Sequence, residues 1–199
     1  MKKFILASAS PRRKEILEAA GLDFDILVSE ADEESVPRDI PPKLYVQELA
    51  LLKAAAAAKT VLKSKQSFII SADTIVTLDG EILGKPYDED NAKEMLRMLS
   101  ARTHEVYTGY CVMRIADGKT VCNSVCTQVK FKELTDDTID AYISTGEPVD
   151  KAGAYGIQGR GSVLADSISG DYFNVVGLPV SALSDTLKNE FEIDILKGE

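Results

Sequence analysis

The sequence predicts an α/β fold, and three features predict it. Apolar runs of strand length, Lys3 to Ala7, Phe24 to Val28 and Phe68 to Ala72, alternate with stretches whose apolar residues recur at helical spacing. Turn dipeptides at Asp79-Gly80, Asp117-Gly118 and Gly170-Asp171 join strand-like segments as hairpins. No internal repeat or flexible linker interrupts this order, so residues 1 to 199 are expected to form one domain, with room for two small lobes on a continuous core.

The opening reads as strand, loop, helix. After Ala7 the strand breaks at Ser8-Ala9-Ser10, Ser10 caps a helix beginning at Pro11, Ile16, Leu17 and Ala20 mark its buried face, and Gly21 ends it. The strand Phe24 to Val28 runs into Glu30, Asp32, Glu33 and Glu34, then a loop containing Pro37, Pro41 and Pro42. Helix returns near Lys43 and is expected to last to about Lys65. At its centre Lys53 precedes five alanines, which keep the backbone helical with little bulk and allow close packing.

Phe68 to Ala72 ends at Asp73-Thr74, and Ile75-Val76 continue to the first hairpin turn. Ile82-Leu83 return before Gly84-Lys85-Pro86, and Asp88 to Leu99 is helical. His104 to Arg114 and Thr120 to Glu133 form a second hairpin, Thr135 to Ser144 a short capped helix closed by Gly146. Glu147 to Gly161, rich in glycine, reads as a site loop. Val163 to Ile168 and Tyr172 to Val176 are expected to make a third hairpin, and Pro179 opens a C-terminal helix.

Composition narrows the function classes. The formal net charge of −9 repels nucleic-acid backbones and anionic membranes, so phosphate binding has to be local. Met1 to Ala7 is too short for a signal peptide and no segment is apolar enough for a membrane helix, which points to a cytoplasmic protein with no membrane and no nucleic-acid partner. Three cysteines without a secretory signal fit free thiols. Cys122 and Cys126 share a strand face and are expected to pack.

Ser8 to Arg13 sets two hydroxyls and two guanidinium groups around the free amides of a helix start, an arrangement that binds anions. The same segment also reads as a capped helix with two surface arginines. Asp73, at the end of an apolar strand, is costly there unless it meets a cation or a solvent-lined cleft. It is a candidate metal ligand or proton acceptor, with a surface residue beside a hairpin as the lesser alternative. Glu33 reads as part of a solvated acidic loop, or as a magnesium ligand if Asp73 is its partner. Lys53 and Lys85 are further candidates. His104 is the only histidine, which excludes a histidine-rich zinc site and leaves a Ser-His-Asp triad without support.

With these residues in view, the chain resembles the Maf family of nucleotide pyrophosphatases. Ala7 to Arg13 is similar to that family's phosphate motif and Ser71-Ala72-Asp73-Thr74 to its catalytic-strand motif. Gly84-Lys85-Pro86, the run Glu147 to Gly159, and Val175 to Pro179 match three more, in the family's order. The resemblance implies a mixed, elongated and twisted sheet with flanking helices, forming two lobes around a central cleft as in inosine-triphosphate pyrophosphatases. It implies that Asp73 accepts the proton and, with Glu33, holds a divalent cation, Mg or Mn. It further implies that Ser8, Arg12, Arg13, Lys53, Thr74, Lys85 and Gln158 meet the substrate.

Arg12, Thr74 and Gln158 look like the set of the branch acting on dTTP and UTP, and a glutamine amide has the donor and acceptor that a uracil or thymine edge requires. The resemblance thus implies hydrolysis of dTTP, UTP or modified pyrimidine triphosphates to the monophosphate and pyrophosphate, with a role in cleansing the nucleotide pool and arresting cell division. The alternative is a sensor that binds nucleotides and restrains septum formation without turnover. A homodimer suits a soluble enzyme of this size.

Overall fold

In β1 (Lys3–Leu6) successive side chains point to opposite faces of the strand, and Phe4, Ile5 and Leu6 are all buried, so cover is needed on both sides. The computed structural model describes residues 3–28, 30–61 and 67–197, and it bears out the α/β expectation. β2 (Phe24–Ile26) and β3 (Ser67–Leu78) flank β1 and run parallel to it, with Leu6 opposite both Ile26 and Ile70. Parallel neighbours need crossovers, and α1 (Pro11–Ala19) and α2 (Pro42–Thr60) lie in those connections. Residues 62–66, over which the expected helix ran on, lie outside the described residues.

Asp79 and Gly80 both take positive φ, 53° and 85°, and turn β3 into β4 (Glu81–Leu83), which pairs with it antiparallel. β5 (Thr103–Arg114) and β6 (Thr120–Phe131) form the second expected hairpin, closed where the Arg114 amide donates to the Lys119 carbonyl at 2.8 Å. With β7 (Ala165–Ser169) the mixed sheet has seven strands, ordered β2-β1-β3-β5-β6-β7, and β4 pairs with β3. Between strands come α3 (Glu89–Leu99), capped by Asp88, and α4 (Asp136–Ile143), capped by Thr135.

The third expected hairpin is a correction. β7 pairs antiparallel with β6, and Tyr172–Val176 is a short helix, α5. Asp171 is the reason. Its carboxylate accepts the Phe173 amide at 2.8 Å and the Asn174 amide at 3.3 Å, which satisfies the first turn of a helix rather than a return strand. Asn174 is then buried, donating to the Val106 carbonyl at 2.9 Å and to Thr127 Oγ1 at 3.0 Å. After it, α6 (Val180–Phe191) succeeds Pro179 as expected.

The chain divides into two compact units, Met1–Asp73 with Thr108–Val125 and Gly177–Glu199, and Thr74–Tyr107 with Cys126–Val176. In the first, Ala50, Ala54 and Ala57 of α2 cluster with Ile5, Ile69 and Cys111, so the alanine run serves packing as its composition predicts. On the opposite strand face Phe68 packs tilted against Phe4 and edge to face against Phe191, and the Tyr110 hydroxyl donates to the Ala182 carbonyl at 2.9 Å, tying down α6. The cysteines are free. Cys122 packs against Cys111, with 2.7 Å between sulfurs, whereas Cys126 is exposed, so packing accounts for the first and not the second. Among the described residues no helix is long and apolar enough to cross a membrane.

In the second unit His104, Phe131 and Tyr155 meet edge to face, and His104 Nε2 shares a 2.7 Å hydrogen bond with the Tyr155 hydroxyl. Burial pushes the imidazole pKa down to about 4. His104 is therefore neutral in the fold but titrates near its ordinary value once unfolded, so the unfolded chain binds the extra proton. Its contribution is whole above about pH 6.5 and fades as pH falls toward 4, a loss of about 3 kcal/mol. Urea unfolding at pH 7.5 and 4.5 checks this against His104→Gln, which should lose correspondingly less stability on acidification. Equal losses in the two proteins would contradict it.

Candidate active site

The first unit gathers most of the expected site. The Ala7 amide still pairs with the Ile70 carbonyl at 2.8 Å, after which Ser8-Ala9-Ser10 leaves the sheet and delivers the chain to the start of α1. Ser8 Oγ accepts the Ser10 amide at 3.2 Å and Arg13 Nη1 at 3.1 Å, while Arg13 Nε donates to the Gly177 carbonyl at 2.8 Å. Loop and guanidinium are thereby locked together. Arg13 is partly buried, and burial pulls its pKa down; the Asp73 carboxylate opposes this, neighbouring Arg12 adds to it, and Glu33 opposes it. Those influences put Arg12, Arg13, Glu33 and Asp73 in one electrostatic neighbourhood.

Lys53 is the centre of the acidic part. Its ammonium lies 2.5 Å from Asp73 Oδ1 and 3.1 Å from Glu33 Oε1. The Lys53 and Asp73 side chains are each 14% exposed and that of Glu33 53%, so the pair is largely buried and Glu33 reaches it from the solvent side. Asp73 is not at the end of its strand, as the run Phe68 to Ala72 suggests, but within the continuous β3. The cation that a carboxylate requires there is Lys53, which α2 brings across. Below it, Ser71 Oγ donates to the Ala50 carbonyl at 2.6 Å and pins strand to helix. Glu33 begins a one-turn 3₁₀ segment, Glu33–Ser35, whose companions Asp32 and Glu34 are exposed.

Glu33 and Asp73 are hard oxygen donors gathered on a single charge. That donor set fits Mg²⁺ or Mn²⁺, which take one or two carboxylates and fill the remaining positions with water and substrate phosphate. Among the described residues no group of three His, Cys, Asp or Glu could hold a metal ion.

Thr74, Lys85 and Gln158 belong to the second unit. Thr74 comes directly after Asp73 in β3. Lys85 is exposed on the turn after β4, and the preceding Gly84 carbonyl accepts the Gly153 amide at 3.0 Å, tying that turn to the glycine-rich segment. Gln158 is exposed within that segment, which the sequence presents as an irregular loop and which folds as three 3₁₀ turns, Glu147–Asp150, Ala152–Ala154 and Gly159–Val163. Sequence reasoning gave no role to Gly177, whose carbonyl orients Arg13, although its block Val175 to Pro179 stands out in the family pattern.

A family model described as Maf-like protein matches residues 3–190. A Bacillus cereus protein named dTTP/UTP pyrophosphatase is 53% identical over 195 residues, spanning 98% of this chain and 93% of that protein. A Bacillus anthracis protein of the same name is 52% identical, spanning 98% of each. The solved structure of a HAM1 protein from Coxiella burnetii gives a TM-score of 0.45 at 18% identity, covering 66% of this chain and 73% of that one.

Proposed function

Since this chain belongs to the Maf-like protein family, we propose that it hydrolyses dTTP and UTP to the monophosphate and pyrophosphate, as a cytoplasmic enzyme acting through one site. The observation that carries this reading is the convergence of a partly buried arginine, its serine partner and a lysine-bridged carboxylate pair in the first unit. Such a set can hold a polyanion and accept a proton beside it.

Ser8, Arg12 and Arg13 bind the phosphates. Ser8 Oγ already accepts from two N–H groups, so its own hydrogen is the part it offers to a phosphate oxygen. Arg13, held at Nε by Gly177, keeps its fork oriented for a bidentate contact. Asp73 takes the proton of the water that attacks the α-phosphorus; the bond from that phosphorus to the bridging oxygen breaks and pyrophosphate leaves. Lys53 holds Asp73 and Glu33 toward each other and adds positive charge, and Thr74 and Lys85 are further substrate-binding residues. Glu33 and Asp73 would hold the divalent cation, Mg or Mn, whose contribution when bound is neutralisation of phosphate charge. Gln158 reads the uracil or thymine edge.

A panel of ribo- and deoxyribonucleoside triphosphates, assayed with Mg²⁺ and with Mn²⁺, tests this. We expect monophosphate and pyrophosphate from dTTP and UTP in preference to purine triphosphates and CTP. Binding of UTP without product would replace the enzyme by a nucleotide sensor that restrains septum formation, and release of inorganic phosphate would put the cut at the wrong phosphorus.

A further inference from the structure

We propose that Glu147 is a positioning residue for nucleobase selection, because its carboxylate closes the loop that presents Gln158. Glu147 Oε1 accepts the Arg160 amide at 3.0 Å and Oε2 accepts the Gly161 amide at 3.2 Å. On the other side of Gln158, the Gly156 amide donates to the Tyr142 hydroxyl at 3.1 Å. Both legs of the loop 156–161 are therefore anchored to one short stretch, Tyr142 to Glu147, and Gln158 is at its exposed crown.

The glycines show how tightly the neck is drawn. A β-carbon on Gly161 would come within 2.2 Å of the Gly156 carbonyl oxygen and 2.7 Å of the Tyr142 hydroxyl. One on Gly159 would come within 2.9 Å of Glu147 Oε1, and that residue has a φ of +66°. Glu147 is itself held from behind, since Lys151 Nζ donates to its carbonyl at 2.5 Å. The Arg160 amide first, then the Gly161 amide and the Lys151 charge, keep the carboxyl pKa below its ordinary value, so it remains an acceptor of both N–H groups at neutral pH.

An exposed glutamine selects a base only if its donor and acceptor are held at fixed positions. A side chain on a loose loop would adapt to either pyrimidine edge. UTP and CTP present that edge with donor and acceptor exchanged, O4 and N3–H in uracil against N4–H and N3 in cytosine, so their discrimination reports on how well Gln158 is held. Glutamine in place of Glu147 keeps the volume but turns one oxygen into an N–H donor facing a backbone N–H, which removes one of the two bonds that hold the 160–161 leg.

This inference rests on Gln158 reading the base, and the experiment separates the two. Steady-state kcat and KM for UTP and CTP are measured for the wild type, Glu147→Gln, Gln158→Ala and the double variant, with thermal unfolding as a check on folding. Glu147→Gln should reduce the UTP:CTP ratio of kcat/KM about tenfold, mainly through KM for UTP, and should add less than about twofold once Gln158 is alanine. Gly159→Ala should reduce the ratio in the same direction. A Glu147→Gln variant that keeps its UTP preference while Gln158→Ala loses it, or effects that multiply in the double variant, would overturn the positioning role alone. Gln158→Ala retaining full preference for UTP would overturn the reading of Gln158, and the role of Glu147 with it.

Discussion

Asp73→Asn is expected to lower pyrophosphate release from UTP by about a thousandfold, the scale of removing a general base at the reacting water. The amide keeps the shape of the carboxylate and one acceptor for the Lys53 ammonium, but it can take no proton. Because Glu33 remains 3.1 Å from that ammonium, the lysine charge still has a partner, and the loss of stability should be about 1 to 2 kcal/mol. The thermal midpoint and the far-UV spectrum separate the two effects. A folded Asp73→Asn protein with near-normal turnover would remove the proton acceptor from the mechanism, and a protein that fails to fold would show that the pair with Lys53 is chiefly structural.

The largest structural effect is expected at Gly109, in β5. A β-carbon there would lie 2.2 Å from the Val46 carbonyl oxygen and 2.7 Å from the Gln47 amide nitrogen, so the backbone of α2 crosses directly over the strand. No side chain can rotate to relieve that contact. The helix has to lift, and it is the helix that carries Lys53 to Asp73. Gly109→Ala should cost more than about 3 kcal/mol in urea unfolding and reduce activity in whatever folded protein remains. Gly84→Ala is the control, since a β-carbon there meets nothing within 4 Å and φ is not positive. Equal stability of the two variants would show that α2 yields easily, and the close approach would then be unimportant.

Elements whose signals are local were legible in the sequence. Ser10 before Pro11 and the capped helix opening at Thr135 depend on partners three residues away, and the structure uses both caps. The Asp79-Gly80 and Asp117-Gly118 turns held for the same reason. Gly170-Asp171 misled because the dipeptide permits a turn but does not choose between a strand and a helix after it. That choice belonged to Asp171 binding the amides of Phe173 and Asn174 and to Asn174 reaching Val106 and Thr127.

The site divides along the same line. Residue type and short spacing were enough to place the hydroxyls and guanidinium groups of Ser8 to Arg13 at a capped helix start and to mark Asp73 as a carboxylate that needs a cation or solvent. Neither could say that the cation is Lys53, that Glu33 joins it, or that Gly177 and Glu147 hold the arginine and the glutamine loop in place. Those partners lie well beyond a helical turn from one another along the chain. Periodicity and capping act over one or two turns, whereas an ion pair or a carbonyl contact across such distances exists only after strands and helices have packed. What the chain's own pattern determined was therefore the elements and the chemical types on offer, and what folding in three dimensions decided was which charges meet.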